Sequence, residues 1–343
     1  MEKFQLKGLQ RYFVKKSAWY LVTLFVAITL NFFLPRLIPG NPVSAIVSQV
    51  AAGIMDPATY ERIYQTYMVM FGLDKPLWQQ FLIYVGNIFR GNLGISLYQY
   101  PRPVTEIIGA SIHWTLMLQI PAIITGWFVG NTLGAITAYR KGIFDRLFFP
   151  LFLFLNAIPA FGFAYTNLYI WAIKLRLFPG GLGYAFDMLP NWGSPAFLLS
   201  VINHYRLPFL TMVLVAIGGQ SLGMRQMSIY ELNADYVKYS RLMGIKDSKI
   251  VLYVFRNAML PQITGLALSL GTMMGGNLIA EIVFSYPGIG TTMFSGIRNQ
   301  DFTLISGCTL IISMTVLAAN FVVDIICGLI DPRVRMTQQE EEG

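Results

Sequence analysis

Long apolar stretches alternate with shorter polar, basic connections along most of the chain. A membrane-spanning helix needs about 20 mostly apolar residues. Six segments satisfy this requirement, at residues 18–38, 114–138, 147–172, 207–228, 259–283 and 304–328. The pattern therefore predicts an all-α polytopic membrane protein with six transmembrane helices.

The composition agrees with this prediction, because 55% of the residues are hydrophobic and only 12% are charged. The net charge of +8 does not indicate a nucleic-acid partner, since the basic residues flank apolar runs and form no continuous patch. The two cysteines, Cys308 and Cys327, both lie in the last apolar segment. We expect buried thiols there, with no disulfide framework and no metal motif.

The distribution of lysine and arginine residues predicts the orientation of the chain in the membrane. If the N-terminus is cytoplasmic, the cytoplasmic segments are 1–17, 139–146, 225–258 and 331–343, and they carry most of the 25 Lys and Arg residues. This bias predicts that both termini are cytoplasmic. The first apolar run is too long for a typical signal peptide and no A-x-A site follows it, so we expect a retained helix. Residues 39–113 and 174–206 are then external.

A polar insert at residues 235–261 separates two strongly apolar segments. It carries too many charges to cross a bilayer. Its apolar residues can form short amphipathic stripes, with Gly244 as a break between two helical pieces and Asp235 as a cap of the first piece. A hairpin at 229–258 would offer a soluble partner a surface to bind, with Lys238 and Arg241 pairing with its carboxylates. The alternative is an ordinary basic loop without a partner.

The predicted fifth span carries the best candidates for lining a translocation path. Gly271 and Gly275 lie one turn apart, and such spacing of small residues lets membrane helices approach closely. Plain helix packing explains this stretch equally well, so both interpretations stay open. The path candidates are Met273, Met274, Asn277 and Glu281.

The sequence contains no G-x-x-x-x-G-K-[ST] loop that would bind nucleotide phosphates, and no arrangement typical of a catalytic or metal site. We therefore expect no catalytic residue, no bound metal and no cofactor on this chain. Any ATP would bind to a different subunit.

Several ordered motifs resemble those of the permease subunits of ABC importers of the oligopeptide/dipeptide class. The matching stretches are LIPGNP at 37–42, FGLDKPLWQQFLIYV at 71–85, GNLGIS at 91–96, DYVKYSRLMGI at 235–245, RNAMLP at 256–261, EIVFSYPGIG at 281–290 and IDPRVR at 330–335. The cytoplasmic stretches look like this family's version of the EAA motif. That motif generally has Glu where this chain has Lys238, and its proline comes earlier than Pro261. Both departures are similar to the oligopeptide branch, whereas Asn41 and Asn92 replace the family's aspartates.

This resemblance implies the type I ABC importer permease fold, in the cytoplasmic (inner) membrane of a bacterium or archaeon. The basic N-terminus 1–17 would be followed by a first helix and external region (18–113), a five-helix transmembrane domain (114–335) and an acidic tail (336–343). The residues implied in ATPase coupling are Asp235, Lys238, Tyr239, Arg241, Gly244, Ile245, Arg256, Asn257 and Pro261. The implied partners are a second homologous permease, two ABC ATPase subunits that bind ATP and Mg, and an extracellular or periplasmic solute-binding protein.

Alternatives remain for the cargo and for the energy source. Oligopeptides or dipeptides are the first expectation from the resemblance, and oligosaccharides or nickel chelates are the alternatives within the same class. Aromatic side chains such as Tyr184 and Trp192 could stack on sugar rings or anchor the protein at the interface. An ion-driven secondary carrier is the distant alternative, but it would usually show an inverted repeat and several intramembrane carboxylates.

Overall fold

The computed structural model describes residues 2–37, 43, 47, 56–70, 72–140, 142–276 and 278–330. Within these residues the chain is helical and contains no β-strand, apart from an isolated bridge between Ile95 and Pro103. The all-α prediction is therefore confirmed.

The described part of the chain is built of helices, numbered here in chain order. They are α1 (Glu2–Phe33), α2 (Pro57–Met70), α3 (Leu77–Phe89), α4 (Val104–Tyr139), α5 (Ile143–Ala157), α6 (Ala160–Asn167), α7 (Pro195–Leu232), α8 (Asp235–Leu242), α9 (Asp247–Gly276), α10 (Leu278–Val283), α11 (Ile289–Arg298) and α12 (Phe302–Ile330). A 3₁₀ turn at Leu34–Leu37 follows α1, and a π-helical stretch at Leu168–Lys174 continues α6.

Five helices in the described part of the chain are long and apolar enough to cross a membrane, in α1, α4, α7, α9 and α12. A sixth span exists if Ile143–Ala157 and Ala160–Lys174 cross together, although they are bent by 104°. The predicted third span, 147–172, is therefore not one straight helix. The break follows from Pro159, because a proline forces the preceding Ile158 into an extended conformation (φ −72°, ψ 131°).

Four helices begin well before their predicted spans, and α1 does so from Glu2. α4 begins at Val104, α7 begins at Pro195 and α9 begins at Asp247. Residues 195–206, expected in an outer loop, are thus helical. Hydrophobicity marks only the part of a helix that lies in lipid, whereas backbone hydrogen bonding continues the helix into water.

The described residues form two compact units, one of residues 1–113 and 288–317 and one of residues 114–287 and 318–343. In the first unit, Asp301 is fully buried just before α12. Its carboxylate accepts hydrogen bonds from the Ser96 hydroxyl (2.5 Å), the Tyr98 amide (3.1 Å) and the Leu304 amide (3.0 Å). Asp301 therefore caps α12 and also holds the loop that contains the GNLGIS motif.

In the second unit, α4 and α7 approach closely along a row of glycines. A Cβ atom on Gly126 would lie 2.5 Å from the Ala216 Cβ, and one on Gly130 would lie 2.7 Å from the Gln220 Cβ. The Ser221 hydroxyl donates to the Gly130 carbonyl oxygen at 3.0 Å. Gly126, Gly130 and Gly134 form a repeated G-x-x-x-G pattern, which was not predicted from the sequence. The contacts of Gly271 and Gly275, the expected small-residue pair, lie outside the described side chains.

Buried thiols were also expected in the last span. The side chain of Cys308 is fully buried, which confirms that prediction for this residue. The side chain of Cys327 lies outside the described part of the structure.

Candidate functional site

The polar hairpin, residues 229–258, is formed by the end of α7, the short helix α8 and the first turns of α9. Gly244 joins α8 to α9 with a φ of +73°, in the left-handed region that glycine adopts at low cost. The Gly244 amide donates to the Arg241 carbonyl and the Ile245 amide donates to the Ser240 carbonyl, each at 3.0 Å. These two bonds form a Schellman motif, which confirms Gly244 as the predicted break.

A small apolar cluster holds α8 against α9. The side chains of Val237, Ile250 and Val254 are nearly or fully buried, and Ile245 packs against them. These four residues belong to the predicted amphipathic stripes, which also included Leu242 and Val251. The hairpin therefore has its own core, so α8 is fixed to the helix that follows it.

A carboxylate joins all three helices of the hairpin. Glu231, at the end of α7, accepts a hydrogen bond from the Tyr236 hydroxyl of α8 at 2.8 Å. The Asn257 amide group of α9 donates to the same oxygen at 3.4 Å. Burial, together with the adjacent Glu231, raises the pKa of Tyr236, so this hydroxyl stays a donor. Glu231 was missed from the sequence, where it reads as one more exposed charge.

The predicted helix cap at Asp235 is wrong. The residue before α8 is Ala234, which has extended backbone angles, and no side chain caps the helix. Asp235 already occupies the first helical position and forms an exposed ion pair with Lys238, with 3.0 Å between Oδ1 and Nζ. Its charge in the first turn, with Arg241 in the last, complements the helix dipole.

The outward side of α8 combines charge with apolar surface. Tyr239 is 64% exposed, Leu242 82% and Met243 71%. Lys238 and Arg241 are exposed on the same short helix. Leu242 was one of the apolar residues predicted to form the amphipathic stripes, but it lies on the exposed side of α8 and outside the apolar cluster. Met243 was not singled out from the sequence.

The remaining coupling residues lie on α9. Arg256 is exposed, and Asn257 belongs to the Glu231 contact described above. Pro261 lies inside α9 and does not end it. The second helical piece of the hairpin is therefore continuous with the membrane-spanning helix, so a displacement of α8 can pass directly into that helix.

An ion pair ties α5 to α7 about one turn before the hairpin. The Arg225 guanidinium donates to both carboxylate oxygens of Asp145, at 2.9 and 3.0 Å. The same guanidinium lies over the Phe149 ring, 4.2 Å from its centroid. Such bidentate geometry is stronger and more directional than a single contact. No sequence motif connects these two residues, which are 80 positions apart.

Of the four path candidates, only Glu281 has a described side chain, and the path role of all four stays a prediction. The side chains of Met273 and Met274, and all of Asn277, lie outside the described part of the structure. Glu281 in α10 is fully buried, and the Gln119 amide donates to its carboxylate at 3.0 Å. In this structure Glu281 therefore faces the protein interior and lines no open surface.

Aromatic rings cover the end of the second unit near Glu281. Trp114 stacks on Tyr184 with ring centroids 6.0 Å apart, and lies 5.3 Å from the Trp192 ring. The buried Tyr286 ring contacts the same Trp114 edge-on at 5.7 Å. Tyr184 and Trp192 are thus engaged with a neighbouring tryptophan, which leaves less ring surface for a sugar than the sequence suggested.

The long apolar helices and the polar hairpin define a multi-pass membrane protein. The family model for the binding-protein-dependent transport system inner membrane component matches residues 130–336, a range that includes the whole hairpin. The chain belongs to this family. It is therefore a multi-pass protein of the inner membrane and the permease component of an ABC importer.

Similar proteins come from several bacteria. The dipeptide transport system permease protein DppB of Lactococcus lactis is 30% identical over 95% of this chain and 99% of its own length. The di/tripeptide transport system permease protein DppB of Pseudomonas aeruginosa is also 30% identical, over 94% and 98%. The glutathione transport system permease protein GsiC of Pectobacterium atrosepticum is 29% identical over 94% and 98%.

Proposed function

We propose that this permease carries short peptides across the membrane and that its polar hairpin is the docking element for an ABC ATPase. The peptide assignment rests on relatives that match the chain over nearly its full length and whose names specify dipeptides, di/tripeptides or glutathione. No relative among these is named for oligosaccharides or nickel chelates. Peptides are therefore the cargo to test first.

The exposed edge of α8 carries the docking proposal. Large apolar side chains such as Leu242 and Met243 are costly to leave in water on a polar hairpin, and they suit a hydrophobic groove on a soluble partner. Lys238 and Arg241 beside them would steer and pair with carboxylates of that partner. We take α8, with Tyr239 and the Gly244 turn, as the part that enters the groove.

The internal contacts of the hairpin explain how docking would drive transport. α8 is fixed to α9 by the Val237 cluster and to α7 by Glu231. A shift of α8 would therefore move two membrane-spanning helices together. Alternating access requires such concerted movement between inward-open and outward-open states.

The proposed complex contains further subunits. Two ABC ATPases would bind ATP and Mg and hydrolyse the nucleotide, since this sequence has no phosphate-binding loop. A second homologous permease would complete the path, and an extracellular or periplasmic solute-binding protein would deliver the peptide. On this assignment the hairpin is cytoplasmic, as the distribution of basic residues predicts.

The docking proposal is tested by removing the exposed apolar residues. We expect the double variant Leu242→Ser and Met243→Ser to reach the membrane but to lose ATPase co-purification and peptide uptake. Leu252→Ser is the matched control, because Leu252 is 61% exposed on α9 of the same hairpin but lies outside α8. Equal loss in both variants, or in neither, would contradict docking through α8.

The cargo is tested separately in proteoliposomes that contain the complete importer. We expect labelled dipeptides or tripeptides, presented with the binding protein, to stimulate ATP hydrolysis and to accumulate inside. Stimulation by oligosaccharides or nickel chelates, with none by peptides, would overturn the peptide assignment and leave the docking proposal intact.

A further inference from the structure

Helix α3 (Leu77–Phe89) has an unusual composition for a helix outside the membrane spans. Its sequence LWQQFLIYVGNIF contains no charged residue. Charged residues occur only outside it, at Asp74, Lys75 and Arg90. With 13 residues it is too short to cross a bilayer, which requires about 20 residues.

One side of α3 packs on the end of α1. The Phe81 ring lies edge-on to Phe32, with centroids 5.3 Å apart, and the Tyr84 ring lies 5.5 Å from Phe32. On the same side, the Gln80 amide donates to the Lys75 carbonyl oxygen at 2.8 Å. A polar side chain of α3 is thus turned toward its own chain.

A different side of α3 is apolar and uncovered. Trp78 is 63% exposed, Leu82 60% and Phe89 81%. Their helical positions place them in one stripe, since residues four and eleven apart lie on the same face. An amphipathic helix that faces water would show the reverse arrangement, with its polar side chains outward.

This apolar stripe continues the surface of a membrane-spanning helix. Only 11% of the apolar stretch Lys16–Phe33 of α1 is buried. At its end Phe33 and Leu34 remain exposed, and the Phe33 ring stacks on Phe81 of α3 at 6.2 Å. The exposed face of α3 therefore begins where the exposed face of α1 ends.

A cation marks the boundary between these two helices. The Arg36 guanidinium lies 3.6 Å from the centroid of the Phe32 ring and donates to the Phe32 carbonyl oxygen at 2.7 Å. Arginine and tryptophan side chains at the end of a span are typical of the interface between lipid and water. Arg36 and Trp78 supply both types here.

We propose that α3 is an interfacial helix that lies on the membrane at the end of α1, with Trp78, Leu82 and Phe89 inserted among phospholipid acyl chains. Lipid is the occupant favoured by the continuity with α1, the absence of charge and the position of Trp78 and Arg36. The helix would fix the segment between α1 and α4 against the membrane surface. This inference does not depend on the cargo or on the ATPase.

Spin labelling of the full chain, co-purified with its transport partners in phospholipid nanodiscs, tests the proposal. Cys308→Ala and Cys327→Ala remove the native thiols, and a label is placed through Leu82→Cys. The matched control is Gln65→Cys on α2, an exposed polar site in the same segment. We expect the label at 82 to be more accessible to oxygen than to a nickel chelate, and the label at 65 to show the opposite preference.

Two results would overturn the proposal. Preferential access of the nickel chelate at position 82 would place α3 in water, whereas protection from both reagents would place it against another protein. A measurement without cysteine substitutions is available if those variants fold poorly. Phospholipids brominated on their acyl chains should quench the fluorescence of the native chain more strongly than that of Trp78→Phe, and equal quenching would contradict insertion.

Discussion

Asp145 and Arg225 form a bidentate ion pair between the start of α5 and the last third of α7, with N–O distances of 2.9 and 3.0 Å. Both side chains are mostly covered, with 25% and 19% of their surface exposed. The pair therefore links the bent third span to the helix that enters the polar hairpin. Its geometry depends on the planar guanidinium of arginine.

The first prediction concerns this ion pair. We expect Arg225→Asp to lower the free energy of unfolding by about 1.5–3 kcal/mol, because it removes hydrogen bonds between charged groups. Asp145→Arg should have a similar effect, and the combined exchange should recover part of the loss. Thermal unfolding of the four proteins in detergent measures this. If the double variant is no more stable than the single variants, the pair is not the source of the effect.

The second prediction concerns the turn at Gly244. No atom lies within 4 Å of a Cβ built at this position, so the constraint is the φ of +73° and not space. We expect Gly244→Leu to reach the membrane but to uncouple peptide uptake from ATP hydrolysis, since a side chain costs roughly 1–2 kcal/mol in the left-handed region. Gly244→Asn should retain more uptake, because asparagine tolerates that region. Normal uptake in the leucine variant would remove the coupling role.

The third prediction concerns the charges of α8. Lys238→Glu combined with Arg241→Glu should reduce co-purification of the ATPase. Their internal ion pairs are exposed, at 3.0 Å with Asp235 and 4.0 Å with Asp247, and such pairs contribute little to stability. A loss of ATPase co-purification would therefore reflect lost contacts with the ATPase and not a destabilised hairpin. Lys249→Glu is the control, because Lys249 is also exposed but lies on α9. If the double variant still co-purifies with the normal amount of ATPase, these charges serve only to orient the protein in the membrane.

The fourth prediction concerns the Glu231 contact. Tyr236→Phe should cost about 1 kcal/mol of stability, the net contribution of one hydrogen bond. Glu231→Gln keeps a hydrogen-bond acceptor at this position and should preserve peptide uptake. Glu231→Ala removes the acceptor for the Tyr236 hydroxyl and the Asn257 amide group. We expect the alanine variant to hydrolyse ATP with weaker stimulation by peptide. Equal coupling in the alanine and glutamine variants would show that Glu231 does not position α8.

The fifth prediction concerns the close contact of α4 and α7. Gly130→Val should destabilise the protein by about 1–3 kcal/mol, the usual cost of overfilling a packed interior. Gly265→Val on α9 is the control, because a Cβ there would meet no atom within 4 Å. Thermal unfolding compares the two. Equal unfolding temperatures would mean that the glycine row is not needed for helix approach.

Some features follow from the sequence alone because their causes are local. A run of apolar residues long enough to cross lipid identifies a span wherever it packs, and a glycine between two amphipathic pieces identifies the Gly244 turn. The ordered motifs placed the chain in its family. The role of Met273, Met274 and Asn277 in a translocation path stays a prediction.

Other features were decided only by the tertiary structure, because they depend on which distant residues approach one another. Glu281 is buried beside Gln119, which lies 162 residues away in the sequence, and its role in a path stays a prediction. Glu231 and Arg225 gained their roles from partners on other helices. The structure also showed that α1 covers one side of α3 and leaves its apolar stripe exposed. Hydrophobicity determines that a side chain leaves water, and only the packed chain determines whether protein or lipid replaces that water.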